Sequence, residues 1–121
     1  MTDEYVLLIK EPNWDPAAMS AEDWAAGMAG HRAFQEAVAA AGERILASNA
    51  LQPESAATKI TPRAGQTPLI TDGPFGETRE VVTGFYSFTA ATPERARELA
   101  SLVPSEGWVE LYPVLVFDRA N

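Results

Sequence analysis

The chain has 121 residues, no cysteine and a formal net charge of -8 at pH 7, from 9 Lys and Arg against 17 Asp and Glu. One ordinary domain has this length, so 1–121 is read as a single domain able to bury its own core. Disulfides, thiolate metal sites and thiol catalysis are excluded, and the negative charge opposes nucleic acid and anionic membrane as partners.

The start, Met1-Thr2-Asp3-Glu4, has neither the basic opening nor the apolar stretch of a signal peptide. No apolar run approaches the roughly 20 residues of a membrane helix. A cytoplasmic location is therefore the expectation. Tyr5 to Lys10 reads as a strand, apolar on both alternating faces. Glu11 to Pro16 is a loop holding Trp14 between two prolines.

Ser20 opens a helix as its N-cap, with Asp23 completing a capping box. The helix runs to about Ala41, where Gly42 takes the place of a C-terminal glycine. At 100° per residue, Trp24, Met28, His31, Gln35 and Val38 form one stripe, flanked by Phe34 and Ala41. Gly27 and Gly30 weaken the helix and suggest close approach to the sheet.

Arg44 to Leu51 is a second strand and Ala57 to Thr61 a third. Pro62 to Gly65 is a turn, the tip of a hairpin, and Thr67 to Thr71 returns as a short strand. Val81 to Thr89 has the strongest β-branched and aromatic content of the chain. Thr92-Pro93 opens a second helix with the stripe Ala96, Leu99, Ala100 and Val103, ended by Pro104. Trp108 to Phe117 is the last strand, placed at an edge or bulged because Pro113 has no N–H for a ladder.

This order predicts an α+β, ferredoxin-like sandwich: an antiparallel sheet with two helices on one face and an extra hairpin before Asp72. The two strongest strands carry apolar residues on both sides, and the helices roof only one. The cheapest cover for the second face is the same face of a second copy, so a homodimer packed sheet to sheet is expected.

The run Thr71-Asp72-Gly73-Pro74-Phe75-Gly76-Glu77-Thr78 is more than a connection requires. With Tyr5-Val6-Leu7-Leu8-Ile9, Leu51-Gln52-Pro53, Gly84-Phe85-Tyr86 and Val109-Glu110-Leu111-Tyr112-Pro113-Val114, it makes the chain resemble the YCII-related family, in its Asp-Gly-Pro-Phe (DGPF) branch. The resemblance covers nearly the whole chain. It implies a dimeric α/β-barrel built from ferredoxin-like halves. Related proteins are thought to be enzymes with a His-Asp pair, some dehalogenating muconolactone enzymes look similar, and this branch is often linked with extracytoplasmic-function sigma factors.

His31, the single histidine, is the natural general acid or base near neutral pH; a satisfied core histidine is the alternative. Asp72 either orients it or bonds its own turn. Tyr86 is a candidate donor to a substrate oxygen. Trp24 and Phe75 either line a substrate cleft or pack as core and anchor, and Arg79 either binds an acidic ligand or neutralises Glu77 and Glu80. No metal or cofactor is expected, since one histidine and scattered carboxylates match no ligand spacing. Two functions remain open: a cofactor-free enzyme acting by His/Asp acid–base chemistry on a small carbonyl or lactone compound, and a non-catalytic binding or regulatory module.

Overall fold

In a computed structural model that describes residues 3–73 and 81–117, the chain runs β1 (Glu4–Lys10), α1 (Ala21–Ala40), β2 (Ile45–Ala50), β3 (Thr58–Arg63), β4 (Gln66–Asp72), β5 (Val82–Thr89), α2 (Pro93–Ala100) and β6 (Trp108–Pro113). Four strands form one antiparallel sheet in the order β2-β5-β1-β6, and β3 and β4 pair in a separate two-stranded sheet. This is an α+β fold with antiparallel sheets and two helices, consistent with a ferredoxin-like arrangement.

The pairing sets the faces. Tyr5 lies opposite Phe88, Leu7 opposite Tyr86 and Ile9 opposite Gly84, so these side chains share one side of the sheet. That side is the core: Tyr5, Leu7, Ile9, Tyr86 and Phe88 pack with Phe34 and Val38 of α1 and with Ala96, Leu99 and Ala100 of α2. Both helices therefore cover the same face. Phe34 and Phe88 are fully buried, their rings edge to face with centroids 5.8 Å apart.

Helix α1 begins as its sequence dictates. The Asp23 amide donates to Ser20 Oγ and the Ser20 amide to Asp23 Oδ2, both at 3.1 Å. It ends at Gly42, whose φ of 78° lies in the left-handed region glycine enters at low cost. Its buried stripe differs from the one expected. Trp24 is 44% and Met28 59% exposed, and Gln35 is exposed as well. The covered line runs instead through Gly30, Phe34, Ala37, Val38 and Ala41. Small residues let the helix lie close to its neighbours: a Cβ on Gly30 would stand 3.0 Å from the Pro104 ring. The approach is to the segment after α2, not to the sheet.

Two ends also fall short of the sequence expectation. Helix α2 stops at Ala100, and β6 stops at Pro113 instead of Phe117. Pro113 sits on edge strand β6 opposite Tyr5, at a position whose N–H would face away from β1, so the open edge tolerates proline there; the Val114 amide just beyond it still donates to the Glu4 carbonyl at 2.9 Å. Leu115, Val116 and Phe117 beyond it are exposed.

The opposite face of the sheet has no helix. Val6, Leu8 and Phe85 are half-buried there, and Trp108 and Tyr112 are 40% and 50% exposed. Glu110 ties part of this face together. It accepts from Trp108 Nε1 at 3.0 Å and Tyr112 Oη at 2.9 Å, and pairs with Lys10 at 3.6 Å. These donors, Trp108 first, hold its carboxyl below the usual carboxylate range.

Candidate functional site

The sheet and α1 diverge toward the N-terminal end of the helix and leave a cavity of about 730 Å³. That volume suits a small organic molecule. One wall is the α1 face from Asp23 to His31, which the displaced stripe leaves uncovered. The floor is Ile9, Gly84 and Tyr86 with the end of β2 at Ser48 to Ala50, and the rim is Glu11, Trp14, Met19 and Pro104 to Glu106. Gly27 has nothing within 4 Å of where a Cβ would stand, so open space begins at its backbone.

His31 and Tyr86 meet at this floor. Nδ1 of His31 lies 2.7 Å from the Tyr86 hydroxyl, a short hydrogen bond joining α1 to β5. Tyr86 is 5% exposed, and its ring is set 4.6 Å from Phe34 and 5.8 Å from His31, centroid to centroid. The tyrosine is a fixed post for the imidazole. Nε2 of His31 has no protein partner among the described residues, yet no side-chain nitrogen or oxygen there is both buried and unpaired. Nε2 therefore opens to the cavity. If the hydroxyl donates to Nδ1, Nε2 presents N–H; if Nδ1–H donates to the hydroxyl, Nε2 presents a lone pair. The same bond supports either half of a proton transfer.

Burial pushes the His31 pKa below its ordinary 6.5, and the charge of Glu11 opposes part of that shift. The imidazole is thus neutral at pH 7. Glu11 is itself fixed: the Thr83 hydroxyl donates to Oε1, and the Glu106 amide donates to Oε2 at 2.8 Å. The Glu11 amide donates to the Val81 carbonyl at 2.9 Å, which fastens the end of β1 beside β5.

Of the residues singled out in the sequence, His31, Tyr86 and Trp24 come together here. Trp24 meets Trp14 edge to face with centroids 6.4 Å apart, and Trp14 Nε1 donates to Met19 Sδ at 3.2 Å. Asp72 is elsewhere. It pairs with Thr58 at the base of the β3–β4 hairpin, off the cavity lining, and among the described residues no hydrogen bond joins it to His31. Phe75 and Arg79, with Glu77 and Glu80, lie outside the described residues. Glu11 and Glu106 join the lining without any motif that marks them in the sequence. Among the described residues no group of three or more His, Asp or Glu is arranged to hold a metal ion.

The YCII-related domain matches residues 4–118. The chain belongs to the YCII-related family. A YCII-related chain spans both helices and all six strands described above. An uncharacterized protein of Rhizobium meliloti (strain 1021) is 37% identical over 71 residues, covering 55% of this chain. This YCII-related chain spans 56% of that relative's length. No described helix is long and apolar enough to cross a membrane.

Proposed function

We propose that the cavity beside α1 is a small-molecule site in which His31 moves a proton, without a cofactor. The observation that carries this is the 2.7 Å bond from His31 Nδ1 to a buried tyrosine at the floor of an open cavity. A neutral imidazole with a free Nε2 takes a proton from a bound substrate. The fixed Glu11 carboxylate favours the imidazolium that results, and the same nitrogen returns the proton to another atom of the substrate. Tyr86 is the positioning residue. Glu11, rather than Asp72, supplies the negative charge felt by the histidine.

Two further elements belong to this reading. The uncovered sheet face, with Trp108 and Tyr112 outward, is matched by the same face of a second copy, which gives a homodimer of barrel type. The 71–78 pattern supports membership of the Asp-Gly-Pro-Phe branch. The second reading, a regulatory module linked to a sigma-factor system, is favoured by the β3–β4 hairpin. All of its residues are exposed, including Ile60, Leu69 and Ile70, and Asp72 stands at its base.

The test is a thermal-shift screen of small organic molecules against the wild-type chain and His31→Ala. A ligand present at 100 times its Kd raises stability by about 2.7 kcal/mol. The enzyme reading expects hits on both chains and turnover of at least one hit by the wild type alone. Turnover that survives in His31→Ala removes the histidine from the chemistry. A screen with no hit removes the cavity as a site and leaves the module.

A further inference from the structure

The lining of the cavity has a one-sided charge. Glu11, Asp23 and Glu106 face it, and no lysine or arginine does among the described residues. The partners of these acids are neutral. Glu11 accepts from the Thr83 hydroxyl and a backbone amide, and Asp23 accepts from the Ser20 amide. The Glu106 carboxylate has no hydrogen bond or ion pair among the described residues. Elsewhere the chain behaves differently: Glu43 is paired with Arg95 at 3.2 Å and Glu110 with Lys10 at 3.6 Å, both off the cavity lining. Neither cation of these two pairs reaches the cavity, and among the described residues none of the three carboxylates lining it is neutralised by lysine or arginine. His31 adds none at pH 7, because burial keeps it neutral.

The remaining surface is aromatic and thioether. Trp14 and Trp24 stand edge to face at the mouth, Tyr86 forms the floor, and Met19 and Met28 fill between. Indole and phenol rings attract a cation through their negative faces, and sulfur is polarizable enough to line the same space. Carboxylates with aromatic walls in a partly desolvated space repel anions and attract organic cations. The net charge of -8 adds a long-range field of the same sign.

We infer that the cavity takes a protonated amine carried on a compact apolar frame, and that it rejects carboxylates and phosphates. This rests on the reading of the cavity as a small-molecule site and names the class of molecule that fits it. The ammonium belongs between Glu11 and Glu106, and the apolar part against Trp14 and Trp24.

Three matched probes test the inference by calorimetric titration of the full chain: 2-phenylethylamine, 2-phenylethanol and 3-phenylpropionate. The amine is expected to bind at least about tenfold more tightly than the alcohol, the difference one strong charge interaction makes. The carboxylate is expected to give no detectable heat. Raising the salt concentration should narrow the gap between amine and alcohol. Glu106→Gln alters an exposed, unpaired side chain and should reduce amine affinity severalfold while leaving the alcohol unchanged; Glu11→Gln, the second variant, should also reduce amine affinity. The inference is overturned if the carboxylate binds as well as the amine, or if the preference for the amine persists in both variants. It is also overturned, with the cavity reading intact, if neutral molecules bind and the amine does not. If no molecule of any charge binds the wild type, the cavity reading fails first and takes this inference with it.

Discussion

Removing one oxygen from the floor of the cavity tests its geometry. Tyr86→Phe keeps the ring in its 5% exposed seat and its 4.6 Å packing on Phe34, and deletes only the 2.7 Å bond to His31. A hydrogen bond of this kind contributes about 0.5–1.5 kcal/mol net. For 121 residues the unfolding entropy is on the order of 0.25 kcal/mol per kelvin, so Tm should fall by about 2–6 °C. The drop alone does not identify the cause, since any disturbance of the floor produces one. A double-mutant cycle with His31→Ala does. The paired variant should lose about 0.5–1.5 kcal/mol less than the two single losses added together, because the bond can be deleted only once. Denaturant titrations of the four proteins give the coupling. Additivity within about 0.3 kcal/mol would mean that the two residues do not act as a unit, and the positioning role of Tyr86 would be wrong.

Other consequences are equally direct. The charge of Glu11 raises the His31 pKa against the effect of burial, so Glu11→Gln should lower it further; the chain's single histidine makes the NMR titration unambiguous. Glu43 joins the end of α1 to β5 and α2, accepting from Thr89 Oγ1 and the Ala91 amide at 2.8 Å and from Arg95 at 3.2 Å; Glu43→Ala should cost about 2–3 kcal/mol in urea unfolding. These donors, Thr89 first, depress the Glu43 pKa below 4.5, so its contribution is present above that pH and is lost as pH falls through the folded value; the Glu43→Ala deficit should shrink in acid. A Cβ on Gly73 would stand 2.2 Å from the Glu54 carbonyl oxygen, so Gly73→Ala must shift backbone at the hairpin base and should cost more than about 1 kcal/mol.

Much of the fold could be read from local signals. Ser20 with Asp23, Thr92 with Pro93, and Gly42 mark the helix ends, and each does so through its own backbone geometry. The dense β-branched and aromatic run of β5 needs no partner to be recognised. The phase of α1 departs from its hydropathy stripe for a physical reason. Its largest apolar residues, Trp24 and Met28, line a cavity, while its buried line is mostly glycine and alanine, which hydropathy weights poorly. β6 ends short of its apolar pattern: Leu115, Val116 and Phe117 read as strand, yet stand exposed beyond Pro113.

The site was legible by residue type and not by partnership. His31 and Tyr86 were each visible as chemistry, but they are 55 positions apart, and only the packing of α1 on β5 brings them together. The sequence motif drew attention to Asp72, whereas the acid that acts on His31 is Glu11, an ordinary-looking residue after β1. Its importance comes from Thr83 and the Glu106 backbone, which local pattern cannot show.

Gly27 offers the most direct test of the cavity as the working site. It lines the space, and nothing lies within 4 Å of its Cβ position. Gly27→Leu should therefore narrow the cavity beside α1 without disturbing the core, and replacing a mid-helix glycine should raise helix stability by up to about 1 kcal/mol. The measurement is the ligand-induced thermal shift of the wild-type chain and of this variant, using any molecule that stabilises the wild type. The expected result is a variant at least as stable as the wild type whose ligand-induced shift is smaller. An equal shift in both proteins would contradict the account.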